Sequence, residues 1–287
     1  MKNTRIKAIL FLIGAAVLWS TGGILIKLVD WNPVAIAGTR SGISALLMMA
    51  YLRKPVQFQK TKIVGAMFYS ATVILFVIAN KMTTSANVIL LQYSAPIWVA
   101  LMSGWILKEK VRKTDWVTIA IVMAGMVLFF IGDIELGQMF GNVLSVLAGV
   151  MLAGVVISLK MVKTGEPVEI PLMGNVLTFI VALPFIMGSM PDMQSIIGLI
   201  LLGVFQLGFS YILFTEASKH VSAVEAILIP IIEPLLNPLW VFIFVGEKPG
   251  YYAIIGGIVV VTAVVARSLI VSRLDAKTEK VSEDIAL

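Results

Sequence analysis

Stretches of roughly 18–23 mostly apolar residues, the length that crosses a hydrocarbon core about 30 Å thick, recur along this chain between short polar breaks. Ten can be drawn: Ala8–Val29, Pro33–Tyr51, Ile63–Asn80, Ser85–Leu107, Trp116–Ile131, Gly141–Met161, Pro167–Ser189, Ile196–Ala217, Ala223–Val245 and Tyr252–Val271. Ten spans leave only short connections and a polar tail, so no extramembrane domain is expected within the 287 residues. With 59% hydrophobic and 13% charged residues, the chain has more apolar side chain than the interior of a water-soluble fold this size can bury. Disorder and a nucleic-acid-binding module are excluded on the same ground, despite a pI near 9.5. The expected fold class is an all-α integral membrane protein with ten transmembrane helices.

The segment Met1–Lys7 is basic and leads into an apolar run, as a secretory signal does. That run continues to about Val29 without a small-residue cleavage site, which favours an uncleaved first span. The chain has no cysteine and a single histidine, His220, so thiol chemistry and His-ligated zinc or haem are not expected, and no cofactor is.

Basic residues predict the orientation. With ten spans and an inside N-terminus, 18 of the 22 Lys and Arg fall on one side, three (Lys27, Lys81, Lys248) on the other, and Arg40 inside a span. Both termini are therefore expected in the cytoplasm, in a cell (inner or plasma) membrane. The charge of +6 then reflects topology and contact with the bilayer, not a nucleic-acid partner.

The two halves echo one another. Pro96 precedes Glu109-Lys110 by the same interval at which Pro234 precedes Glu247-Lys248. Lys27 and Lys160 end the first and sixth spans, while Asn32-Pro33-Val34 and Glu166-Pro167-Val168 open the second and seventh. Five spans per half is an odd number, so a duplicated half crosses the membrane in the opposite sense. Inverted repeats are a frequent build of secondary transporters.

Gln92-Tyr93-Ser94-Ala95-Pro96 running into Lys108-Glu109-Lys110, and Glu233-Pro234 running into Gly246-Glu247-Lys248, resemble the EamA family of the drug/metabolite transporter superfamily. The resemblance covers about Ile6 to Ser272. It implies two five-helix repeats (1–132 and 138–272) before a cytoplasmic tail at 273–287. It also implies a carrier or exporter of amino acids or other small metabolites.

Charge within a span is expensive, about 2.5–3.5 kcal/mol at a helix centre on insertion scales. Glu233, amid Ile231, Ile232, Leu235 and Leu236, is therefore the first candidate for function, with Asn237 one turn on. It is read either as a protonatable or amine-binding carboxylate in a cavity, or as a neutral group fixing helix packing. Pro230, Pro234 and Pro238 each remove an amide, which frees the carbonyls of Ala226, Pro230 and Pro234. Those helix breaks, with Pro96 in the first half, mark either a wet cavity or a packing kink. Ala95 takes Glu233's place in the first half, where Gln92 and Tyr93 are the polar candidates.

Arg40 is the embedded cation, read either as a partner for a substrate carboxylate or as a side chain that snorkels or pairs with another helix. Other cavity candidates are Trp19, Tyr69, Asn175, Gln206, Ser210 and Tyr211. Thr72, Phe76 and Asn80 share a face with Tyr69. Glu216, Glu225 and His220 are expected to face loops, and Glu109 and Glu247 to cap helix starts.

The resulting expectation is a secondary-active transporter, not an enzyme. It would move amino acids or amine-bearing metabolites, in the efflux direction, by alternating access around a central cavity. No phosphate-binding glycine loop occurs, so a coupled proton or cation, or the substrate's own gradient, must drive it. A carrier of lipid-like or nucleotide-linked substrates on the same fold is the alternative, and a channel a weaker one. A monomer suffices to enclose a cavity, and a homodimer is compatible with the sequence.

Overall fold

The computed structural model describes residues 2–129, 131, 138–188, 190–236 and 250–286, and every regular element among them is helical. Helix α1 (Lys2–Trp19) stops where the Ser20 and Thr21 hydroxyls donate back to the carbonyls of Val17 and Leu18, at 2.6 and 2.8 Å. Such local bonds compete with the helix ladder. α2 (Gly22–Leu28) resumes beyond this break. α3 (Pro33–Leu52) opens on Asn32, whose side chain accepts from the amides of Val34 and Ala35, with Pro33 pre-set for a first helical turn.

α4 (Lys60–Met82) is followed by α5 (Ser85–Gln92), capped by Thr84. The chain breaks at Tyr93–Ser94 and restarts as α6 (Ala95–Met102), with Pro96 in its first turn, then runs through a π turn, Ser103–Leu107. The proline thus starts a helix rather than kinking one, and the interruption lies upstream of it.

α7 (Lys113–Phe129), α8 (Met139–Lys160) and α9 (Glu169–Ile186) follow. Next, α10 (Met193–Leu201) runs through a π stretch, Leu202–Phe209, into α11 (Ser210–Ser218). α12 (Ala223–Leu228) opens with a capping box formed by Ser222 and Glu225, and tightens to a 3₁₀ turn, Ile229–Ile231, at Pro230. Helix continues over 232–236, and α13 (Tyr251–Ala286) extends past the apolar segment into the polar tail.

Among the described residues, eight segments are long and apolar enough to cross a membrane: Thr4–Leu28, Pro33–Leu52, Lys60–Met82, Asn87–Leu107, Met139–Lys160, Glu169–Ile186, Met193–Ser218 and Tyr251–Val271. The expected fifth span is α7, a helix of 17 residues. The expected ninth begins as α12 and is described through 236; its positions from Asn237 and Pro238 on, and Gly246, Glu247 and Lys248 beyond it, lie outside the described residues. Large apolar side chains such as Leu10, Leu46, Met67, Val117 and Ile258 point outward, a surface suited to lipid.

Helices pack across the two halves. α3 lies along α9, α7 along α13, α4 along α8, and α1 along α11. Exchanging the halves maps each pairing onto itself or another in this set. Lys27 Nζ donates to the Thr83 carbonyl at 3.1 Å, one residue before the Thr84 cap of α5. Lys160 Nζ donates to the Val221 carbonyl, one residue before the Ser222 cap of α12. The same joint is built once in each half.

Candidate functional site

A narrow cavity of about 60 Å³ lies among α1, α3, α4, α5, α8, α11, α12 and the π stretch. One wall is acidic. Glu233, on the turn after Pro230, accepts a hydrogen bond from the Tyr93 hydroxyl at 2.8 Å, and the same hydroxyl lies 3.0 Å from the Pro230 carbonyl. Pro234 has no amide to offer that carbonyl, and Tyr93, at the break between α5 and α6, reaches it instead.

The other polar wall is basic. Arg40, on α3, is only 1% exposed and donates from a terminal nitrogen to Gln206 Oε1 at 2.9 Å. Its Nε is buried without a hydrogen-bond partner. Gln206 sits on the π stretch opposite Gly22, where a Cβ would lie 2.8 Å from its Nε2, so a glycine at the start of α2 lets the amide reach Arg40.

Between these walls the lining is aromatic. The Trp19 ring centre lies 5.1 Å from those of Tyr211 and Phe214. Tyr211 lies within electrostatic reach of both Arg40 and Glu233. Thr72, Phe76 and Gln92 complete the polar and aromatic lining.

Of the residues singled out in the sequence, Trp19, Arg40, Gln92, Tyr93, Gln206, Tyr211, Pro230 and Glu233 thus share one cavity. Tyr69, Asn175 and Ser210 are buried behind it. The Tyr69 ring stacks edge-on to Tyr211 at 4.7 Å, and its hydroxyl bonds Asn175, which in turn donates to Ser44. The Ser210 hydroxyl is spent on the carbonyls of Gln206 and Leu207. Asn80 is buried on a carbonyl of its own helix, that of Phe76. Pro96 is buried at the start of α6 and Pro234 beside Glu233, and neither lines the cavity. Asn237 and Pro238 lie outside the described residues.

Of the alternatives for Arg40, the guanidinium is buried and pairs with Gln206 of another helix, and it does not snorkel. Two other expectations are corrected. Glu225 is not loop-facing, because its carboxylate is held by Arg5 at 2.6 Å and by the Ser222 amide at 3.1 Å. Glu109 stops short of α7, and Asp115 instead takes the Arg112 amide at 3.0 Å. Sequence reasoning also missed a buried pair, Lys62 Nζ to Glu169 Oε2 at 2.8 Å, with side chains 0% and 3% exposed. Glu169 accepts from the amides of Gln57 and Glu166 as well, and the bend at Gly165 (φ 77°) brings that loop in. The available signal was two charges at the edges of apolar runs, at the starts of α4 and α9. Phe214, Ile227, Leu152, Val73 and Leu207 also line the cavity, and in the sequence only their apolar character is visible. Among the described residues no three His, Asp or Glu converge to hold a metal ion.

The fold and cavity define a multi-pass helical membrane protein with an internal cleft lined by polar and aromatic side chains. The chain belongs to the EamA-like transporter family, whose profile matches residues 6–131 and again 139–269. It is 25% identical over 254 residues to an uncharacterized transporter of Archaeoglobus fulgidus, covering 87% of this chain and 92% of the relative. It is 24% identical over 275 residues to the uncharacterized transporter YdfC of Bacillus subtilis, covering 90% of each. A protein of known crystal structure has the same fold at 18% identity, with a TM-score of 0.76, over 93% of this chain and 98% of that one.

Proposed function

We propose that this transporter carries small amine-bearing metabolites, amino acids foremost, outward across the cell membrane. It does so by alternating access of two inverted five-helix halves. The observation that carries the reading is the pair of opposed polar anchors in one aromatic-walled cavity: Glu233 with Tyr93 on one side, Arg40 with Gln206 on the other. An ammonium group suits the acidic wall and a carboxylate the unsatisfied Nε of Arg40. Rings between them cover an organic side chain without committing to its shape. Repeated lysine joints, at opposite ends by the charge distribution, support the inverted relation of the halves. The same charge bias supports cytoplasmic termini.

Glu233 is also the group that would take up a coupled proton, and the sequence holds no glycine-rich phosphate loop of the G-x-x-x-x-G-K-[ST] kind. The test is uptake by purified protein in liposomes. A labelled panel of amino acids and polyamines is run with and without a pH gradient, beside Glu233→Gln. Saturable uptake of one class, lost in the variant, supports the reading. A folded protein that moves none of them, yet accepts a lipid-like or nucleotide-linked compound, overturns it in favour of that substrate class.

A further inference from the structure

A second cavity, about 570 Å³, opens at the end of the molecule where the basic residues gather. Four charged side chains in its wall form a continuous chain. Asp115 Oδ1 takes two bonds from Arg267, Nε at 2.8 Å and a terminal nitrogen at 2.7 Å. The other terminal nitrogen of Arg267 lies 3.5 Å from Glu225 Oε1, which Arg5 meets at 2.6 Å. Asp115, Glu225 and Arg267 are all more than nine-tenths buried. Their helices are α7, α12 and α13, with Arg5 on α1, so the chain ties two helices of each half at one end.

The two cavities share a wall. Val224 and Glu225 of α12 face the second, and Ile227 and Pro230 face the central one. From Val224 to Ile227 the helix rises only about 4.5 Å. α12 is pinned at its first turn by Glu225 and interrupted at its last by the 3₁₀ turn at Pro230. A short segment held at one end and broken at the other can swing about the break when the hold is released.

Buried ions are stable only while every partner stays in place, and once water enters, each is hydrated separately. Such a chain favours two discrete states, closed and wet, over intermediate ones. The described joints at the opposite end are of another kind: Lys81 Nζ on the Val29 carbonyl, and the Asp30 amide on Ser195 Oγ.

We propose that the Arg5–Glu225–Arg267–Asp115 chain is the gate between the central cavity and the basic end. The second cavity is then the vestibule through which the carried molecule passes there. The vestibule's use rests on the transport reading above, whereas the gate is a statement about access and is tested without transport.

The chain lacks cysteine, so single cysteines report access against no background. Inside-out membrane vesicles are treated with a membrane-impermeant maleimide. His220→Cys, exposed at the basic end, establishes which face that end occupies. Ile227→Cys then reports the central cavity, with reagent applied on the face that His220→Cys identifies. With the ion chain intact Ile227→Cys is expected to label slowly, and with Arg267→Gln added about tenfold faster, as a shift of the closed–open equilibrium requires. Arg267→Lys, which keeps a cation between Asp115 and Glu225, is expected to retain most of the slow labelling. Arg5→Gln, whose side chain is 25% exposed, breaks the same chain from its outer end and serves where Arg267→Gln does not insert. Fast labelling with the chain intact, or no acceleration in either variant, overturns the gate. Accelerated labelling in a protein that carries none of the panel leaves the gate standing and sinks the transport reading alone.

Discussion

The Tyr93 hydroxyl lies 2.8 Å from a Glu233 carboxylate oxygen and 3.0 Å from the Pro230 carbonyl, although a phenol has one proton to give. With Glu233 ionised, the two acceptors compete for it. With Glu233 protonated, the carboxyl donates to Tyr93 and Tyr93 donates to Pro230, so all three groups are satisfied. Proton occupancy at Glu233 is thereby coupled to the break in the helix that carries it.

Tyr93→Phe removes that coupling. The Pro230 carbonyl is left without its phenol donor, and a loss of about 1 kcal/mol is expected, in line with single hydrogen bonds between membrane helices. Thermal unfolding in detergent measures it. Transport by this variant should respond less to pH than the parent, and an unchanged pH profile would show that Tyr93 only packs.

Glu233→Gln holds the side chain in a permanently uncharged form with nearly the same shape. The protein should insert normally and lose either transport or its dependence on pH. Parent-like uptake across roughly pH 5 to 9 would remove Glu233 from the mechanism.

Arg40→Gln should weaken carboxylate-bearing substrates by about 1.5–3 kcal/mol, the scale of a lost bond to a charged group, and leave polyamines nearly untouched. Gly22→Ala should produce a milder form of the same selectivity, because its new Cβ displaces Gln206 from Arg40. Competition assays with paired amino acids and their decarboxylated amines separate the two effects. Equal weakening of both classes would assign Arg40 to packing.

Lys62→Met alone should destabilise by about 3–5 kcal/mol, since it strands a buried carboxylate at Glu169. Lys62→Met with Glu169→Gln, which removes the stranded charge but keeps an acceptor for the loop amides, should recover part of that loss, read as the melting temperature in detergent. Lys219→Ala removes contacts to Glu166 and Glu216 that are about a third exposed, and should change stability by less than about 1 kcal/mol.

These residues also mark how far a sequence carries. A carboxylate in mid-span is costly wherever the helix lies, so Glu233 stands out in one dimension, and prolines spaced four apart announce freed carbonyls from their spacing alone. Partners are a matter of three dimensions. Nothing local to Arg40 points to Gln206, which is 166 positions away, or to the Gly22 opening that lets the two meet. Glu225 misleads because charges near span ends ordinarily reach water. Here Arg5 and Arg267 arrive from the two ends of the chain and close over it. The helix breaks divide the same way: Pro96 signals the one before α6, while the one after α1 arises from ordinary Ser20 and Thr21 hydroxyls turned back on their own backbone.

The π stretch from Leu202 to Phe209 carries a consequence for how the protein tolerates change in length. A π turn is an α-helix holding one residue more than its pitch accommodates. Deleting a single residue between Gln206 and Phe209 would let the ladder relax to ordinary spacing, a repair the backbone favours. The turns on either side would keep nearly their present facing, because the widened turn has already absorbed the extra residue. Tyr211 would stay on the cavity wall, and the change would fall on the widened turn itself, where Gln206 meets Arg40. Relatives that lack the extra residue should form a regular helix and differ locally at Gln206, not along the whole wall.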